Sequence, residues 1–397
     1  MALKVLGQKI LFPKSLISLV LILFLSEFVR GAYLASFLPT YSVEKLGLST
    51  AAVGIAVSAH YVTDTFGKSL IGWLLDRFSF RLVVITGMLI SLVGLILTPN
   101  VHYTWMLIVT AALYGVGVSP IWIVCLSSVD KDQRAAQMGI LYSLWLVGLG
   151  AGPVVINFFM DKGYTISFNI LLGVWILACL LSFFTSYQKA AVLKMEPIGK
   201  QVKMLIKRLK LMKPLLPGMI LQTMAAGMLV PILPLFATEH LGLTYSQYSY
   251  VIIAGGACTV LGLVPMGKLS DRLGRKWFLV IGFAGFAVSL IFLTTVKSFV
   301  LGVVWAIILG ISYSAVLPAW NALLSYQVPE EQKGLGWGVF SSIEGLGIVI
   351  GPVLGGWFAD FQYGTTLTFL ISAALLGMIA LFYLFFPFGK LAHDDSR

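Results

Sequence analysis

The sequence predicts an all-α polytopic membrane protein of twelve transmembrane helices, six in each half of the chain. Three observations carry that prediction. The 397 residues are 59% hydrophobic and 11% charged, with a mean hydropathy of +0.95, whereas soluble domains run at about 45–50% apolar and 25% charged. Apolar runs of the roughly 20 residues that one helical crossing needs recur twelve times. Polar landmarks among the first six runs return among the second six at near-constant spacing.

The runs fall at about 16–40, 49–75, 82–98, 104–128, 137–159, 167–187, 214–238, 246–268, 277–295, 299–323, 334–358 and 364–387. The formal charge of +11 follows this layout. With the N-terminus inside, 22 Lys/Arg lie in cytoplasmic segments, three lie in external ones (Lys45, Lys162, Lys297), and two lie within spans (Arg30, Lys68). Such asymmetry is the positive-inside bias, and it predicts a multi-pass protein of the cell membrane with both termini cytoplasmic. The basic charge therefore calls for no nucleic acid, and anionic lipid headgroups are its natural neighbours.

Span 1 opens with basic residues from Lys4 to Lys14 and an apolar core, Leu16–Leu25, in the manner of a signal peptide. The charged pair just after that core and the eleven later spans predict a helix that is retained. That pair lies in Phe24-Leu25-Ser26-Glu27-Phe28-Val29-Arg30-Gly31. A charge at the bilayer centre costs about 2.5–3.5 kcal/mol or more, so it persists where it faces a bundle interior or an aqueous cavity and has a partner. Glu27 and Arg30, three apart, share a helix face.

Span 2 runs back and carries His60, Asp64 and Lys68. At about 1.5 Å per residue, Glu27 lies about 18 Å from Ser15, and Asp64 about 18 Å from Asp76. Equal depth predicts an acid-base-acid cluster in which Arg30 binds polar substrate oxygens and Glu27 or Asp64 exchanges a proton. A structural ion-pair network is the alternative for the same residues. His60, on the face of Asp64, is a proton-relay candidate, with simple hydrogen bonding as its structural alternative. Lys68 is expected to snorkel toward the cytoplasmic end.

After span 2 comes Gly72-Trp73-Leu74-Leu75-Asp76-Arg77-Phe78-Ser79-Phe80-Arg81, and after span 8 comes Gly267-Lys268-Leu269-Ser270-Asp271-Arg272-Leu273-Gly274-Arg275-Lys276. Asp76 and Asp271 are 195 residues apart, Pro120 and Pro318 198, Pro153 and Pro352 199. Three landmarks at such offsets, one in a charged loop, indicate duplication. Spans 4 and 5 hold Trp122 and Trp145 at comparable depth, and indole offers an apolar face plus one N–H donor for a sugar ring or an aromatic ligand. An interfacial belt position is the alternative for Trp122. The stretch 188–213, with eight Lys/Arg and one acid, divides an N-terminal half (1–187) from a C-terminal half (214–397). Lys200, Lys203, Lys207 and Lys210 with Leu205, Ile206 and Leu209 predict a surface amphipathic helix there.

In the second half, Glu344 in span 11 is the buried acid, a second proton-site candidate or a packing group. Gln222, Tyr313, Trp320 and Asn321 add polar groups, and no span there carries a basic residue. Cys125, Cys179 and Cys258, odd in number and far apart, read as small buried hydrophobes.

The repeated loops resemble the signature Gly-x-Leu-x-Asp-Arg-x-Gly-Arg-Arg/Lys of the major facilitator superfamily. The second copy fits almost throughout; the first has Ser79 in place of Gly and Phe80 before Arg81. The resemblance, which extends to span count, repeat and linker, implies two six-helix bundles about a central cavity with alternating access. It also implies that Asp76, Arg77, Arg81, Asp271, Arg272 and Arg275 serve gating. Gly351-Pro352 with Gly355-Gly356 in span 11 looks like the antiporter motif of that superfamily, which its members carry in span 5; span 5 here has Pro153 followed by Val154-Val155-Ile156-Asn157.

Within the superfamily, several stretches look like the flippases that handle the glycolipid anchor of lipoteichoic acid in Gram-positive bacteria. They are Leu25–Tyr33, His60–Asp64, Ser119–Trp122 with Leu126–Val129, Leu229–Pro234, Leu317–Asn321 and Trp337–Phe340. That resemblance implies that Glu27, Arg30, Asp64, Trp122 and Trp145 line a sugar-binding pocket and that flipping is coupled to protons. The chain departs from those flippases at Glu344, where they carry an amide.

The expected function is a proton-coupled flippase moving a diglucosyl-diacylglycerol-type anchor from the inner to the outer leaflet. Arg30, Glu27, Trp122, Trp145 and Asn321 are its expected substrate-binding residues, and Glu27, Asp64, Glu344 and His60 its proton-coupling ones. A proton-coupled antiporter of amphipathic drugs is the alternative, and a non-transporting scaffold or sensor a more distant one. A proton gradient rather than a cofactor is the expected driving force. The expected partners are membrane lipids, the substrate and protons, with the chain working as a monomer and no enzyme activity.

Overall fold

The computed structural model describes residues 2–5, 8–11, 14–128, 134–185, 214–326 and 333–386. The expected linker helix at 200–210 lies outside them. Apart from a short antiparallel hairpin, β1 (Ala2–Val5) with β2 (Gln8–Leu11), which the sequence reading did not anticipate, the described elements are helical. In the first half they are α1 (Lys14–Ala32, continued by Tyr33–Phe37, Leu38–Thr40 and Tyr41–Lys45), α2 (Thr50–Arg77), α3 (Phe80–Leu97), α4 (Thr104–Ser127), α5 (Arg134–Met160) and α6 (Tyr164–Phe184). In the second they are α7 (Leu216–Leu229, continued by Leu233–Leu235 and Phe236–His240), α8 (Tyr245–Leu273), α9 (Arg275–Leu293), α10 (Phe299–Tyr326), α11 (Lys333–Ala359) and α12 (Gly364–Phe385).

Among the described residues, nine of these helices are long and apolar enough to cross a membrane, and α7, bent by 52° at its break, makes a tenth. The other two are α2, interrupted by His60, Asp64 and Lys68, and α11, whose apolar part Ile343–Ala359 is shorter. Twelve helical segments therefore stand where the sequence has twelve apolar runs.

The chain divides into two compact units, Met1–Glu196 and Pro197–Arg397. In the first, α1 packs on α5 and α6, α2 on α4, and α3 on α4 and α6. In the second, α7 packs on α11 and α12, α8 on α10, and α9 on α10 and α12. The same pairing six helices later is the duplication in three dimensions. It also extends to a turn: Leu46-Gly47-Leu48-Ser49 and Leu241-Gly242-Leu243-Thr244 both place glycine at positive φ, +67° and +64°. In both, the first Leu amide bonds back five residues at 3.1 Å, and the Ser or Thr caps the next helix.

The helix starts explain one departure from the repeated signature. Gly274 has φ +96°, which favours glycine. Its counterpart Ser79 sits at φ −67° and caps α3, accepting from the Leu82 amide at 3.2 Å. A serine there is therefore a working N-cap.

Close helix approach is built on small residues. A Cβ on Gly152 would run into the Phe28 carbonyl and the Ala32 amide of α1, and one on Gly351 into Met224 and Gly227 of α7. These contacts fix the depth of Glu27 and Arg30 against α5. Inside the first unit, Tyr114 meets Tyr33, His60 and Trp175 at ring separations of 5.1, 5.4 and 5.1 Å. Inside the second, Trp320 and Tyr383 are buried against each other at 6.0 Å.

Candidate functional site

In α1, Glu27 and Arg30 stand one turn apart and are 2% and 7% exposed. The Arg30 guanidinium meets a Glu27 oxygen at 2.6 Å and reaches Asp64 of α2 at 3.6 Å. Asp64, 5% exposed, is also held at 2.9 Å by Lys68 one turn on. Its Oδ1 accepts from the Ser119 hydroxyl of α4 at 3.0 Å. The helix spacing therefore does bring the expected acid-base-acid cluster together.

Two features were missed. Lys68, expected to snorkel and 40% exposed, also pairs with Asp64, so two acids and two bases balance in formal charge. An i,i+4 Asp-Lys pair is a recognisable signal for that role. Ser119 could have been found only as the polar residue preceding Pro120 in an apolar span.

His60 is fully buried, but its ring stacks on Tyr114 and sits edge-on to Tyr61 at 5.4 Å. No hydrogen bond joins it to Asp64 among the described residues. The Nε of Arg30 has no partner in the described structure, which leaves one donor of the fork uncommitted.

Trp122 of α4 and Trp145 of α5 come within 6.2 Å, tilted by 47°, and Tyr142 packs edge-on to Trp122 at 5.0 Å. Both indoles are half-buried. The aromatic pair thus exists as expected, with Tyr142 as an unforeseen third ring. Aromatic faces with polar rims suit the alternating apolar and hydroxyl surfaces of a sugar.

In the second unit, Glu344 of α11 accepts from Trp320 Nε1 of α10 at 3.2 Å and from Gln222 Nε2 of α7 at 3.5 Å. Asn321, next along α10, is exposed. The paired signature loops show local bonds. Asp271 is held by Arg275 at 2.9 Å, Arg77 lies 4.1 Å from the Trp73 ring centre, and Arg81 donates to the Phe183 carbonyl. Arg272 is exposed, and the Asp76 side chain lies outside the described residues.

Charge buried on two helices of an apolar protein is costly and marks a candidate functional site. Comparison with known proteins agrees with a transport role. The family model described as Major Facilitator Superfamily matches residues 19–216 and again 215–395. The chain is 32% identical over 377 residues to the proton-coupled antiporter flippase LtaA of Staphylococcus aureus strains MSSA476 and N315, covering 93% of this chain and 94% of each relative. Among solved structures, the nucleoside transporter NupG is similar with a TM-score of 0.75 at 14% identity, covering 94% of this chain and 98% of that one. A bacterial homologue of the human lysosomal transporter Spinster, in an inward-facing and unoccupied conformation, is similar with a TM-score of 0.69 at 15% identity, over 93% and 95%. The chain belongs to the major facilitator superfamily, as a multi-pass membrane transporter similar to proton-coupled antiporter flippases.

Proposed function

We propose that the protein is a proton-coupled flippase that moves a glycolipid of the diglucosyl-diacylglycerol type, the anchor of lipoteichoic acid, from the inner to the outer leaflet by alternating access. The observation that carries this reading is the buried cluster of Glu27, Arg30 and Asp64, whose charge the partly exposed Lys68 balances, in a chain similar over its length to LtaA.

Arg30 offers charge-assisted donors to sugar oxygens. Ionised Glu27 and Asp64 accept from sugar hydroxyls, and Trp122 and Trp145 cover ring faces. A proton on either acid removes an acceptor and weakens head-group binding, so sugar and proton exclude one another. That exclusion is what exchange requires. Asn321 is a further proposed substrate-binding residue, and His60 and Glu344 complete the proposed proton-coupling set. Asp76, Arg77, Arg81, Asp271, Arg272 and Arg275 take the gating role, and both termini face the cytoplasm.

The test is flipping of labelled diglucosyl-diacylglycerol by the purified protein in liposomes, with free disaccharide as competitor. Flipping that requires Arg30 and is slowed by the disaccharide supports the reading. Transport of varied amphipathic cations, with no glycolipid flipping, would establish a drug antiporter instead.

A further inference from the structure

We infer that Glu344 is a second proton-carrying site, one without a counter-charge among the described residues and reported by its own indole. This rests on the flippase reading above for the transported substrate, though not for the chemistry of the site.

The first unit answers two acids with two bases; the second gives Glu344 only neutral partners. From α10 it is faced by Trp320, whose indole N–H donates at 3.2 Å, and by the phenol of Tyr313. From α7 it is faced by the Gln222 amide at 3.5 Å and by Thr223, whose hydroxyl donates to the Glu344 backbone carbonyl at 2.8 Å. From α12, Tyr383 packs on Trp320 at 6.0 Å. Among the described residues, no cation pairs with Glu344.

A carboxylate in an apolar span without a counter-charge is costly, and a proton removes that cost directly. Both of these hydrogen bonds end on the same oxygen, Oε1. A proton on Oε2 leaves the indole and amide bonds in place, so the site loads and unloads without repacking. The residue is half-buried, within reach of exchange with water. Its reporter is fixed: Trp320 is 2% exposed, and its ring edge presses so close to Gly218 that a Cβ there would lie 2.7 Å from it. Ionisation at 3.2 Å from the indole nitrogen changes the electrostatic field on that ring.

The experiment has two parts, both on the full-length purified protein. In detergent, tryptophan emission is titrated against pH in the wild type, Glu344→Gln, Glu344→Asp and Trp320→Phe. A pH-dependent change that is present in the wild type and Glu344→Asp, and absent from Glu344→Gln and Trp320→Phe, is expected. In liposomes with the membrane potential clamped and a gradient of about one pH unit, each transported proton is worth about a factor of ten in steady-state distribution, since about 1.4 kcal/mol is tenfold. The outer-to-inner ratio of labelled glycolipid is expected to fall about tenfold in Glu344→Gln. An emission titration unchanged in Glu344→Gln, or an unchanged ratio, overturns the inference. If the wild type flips no glycolipid but the emission change vanishes in Glu344→Gln, the substrate reading fails and the proton site stands.

Discussion

At the scale of the residue, Arg30 holds the first unit's chemistry together because two buried carboxylates face it, at 2.6 and 3.6 Å. Removing one partner of a buried pair costs about 3–5 kcal/mol, because the other charge stays behind. Arg30→Ala is therefore expected to lower the unfolding temperature in detergent and to abolish transport. Adding Glu27→Gln is expected to restore stability while leaving transport lost, which thermal melts and flux assays on the single and double variants check. Ser119→Ala removes one donor shared between the Asp64 carboxylate and the Asp64 backbone carbonyl. It is expected to cost about 1 kcal/mol and to impair transport less than Arg30→Ala, read in the same two assays. Glu27, Arg30 and Asp64 were legible in the sequence because a charge in an apolar run has few places to go. Ser119 and Tyr142 were not, because their roles arise from neighbours on other helices, and periodicity within one helix carries no record of them. Lys68 was visible, and its side chain stays 40% exposed as a snorkelling lysine would, but its i,i+4 pairing with Asp64 was not read.

At the scale of the element, the helices and their order follow from the apolar runs, but the seams between them follow from glycine. Gly152 and Gly351 sit where the α5 and α11 backbones touch α1 and α7. Gly152→Leu is expected to push α5 from α1 at the level of Arg30, at the roughly 1–3 kcal/mol of overpacking, and to cut transport severely. Gly150→Leu, at a position where a Cβ meets nothing within 4 Å, is expected to change both melting temperature and transport far less. Comparing the two variants isolates the seam from helix propensity. The glycine-proline cluster of span 11 was visible in the sequence, whereas which glycine faces which carbonyl needed the packed helices. The same is true of Ser79, which reads as a lapse from the signature until its backbone shows it capping α3.

At the scale of the whole molecule, the duplication was legible from three landmarks and is visible in the matched helix pairings of each unit. The repeated turn after α1 and α7 was not legible, because a shared Leu-Gly-Leu followed by Ser or Thr is too short a match to stand out in so apolar a chain. Orientation is tested by thiol labelling in intact cells. Lys162→Cys is expected to react with an impermeant reagent, and Lys207→Cys only after the membrane is opened. The most direct test of the central claim is flipping of labelled diglucosyl-diacylglycerol in liposomes, with and without an imposed pH gradient, comparing the wild type with Arg30→Ala and Glu27→Gln. The account predicts flipping that the gradient accelerates and that both variants lose. Folded protein that flips no glycolipid, or flips it equally well without Arg30, would contradict it.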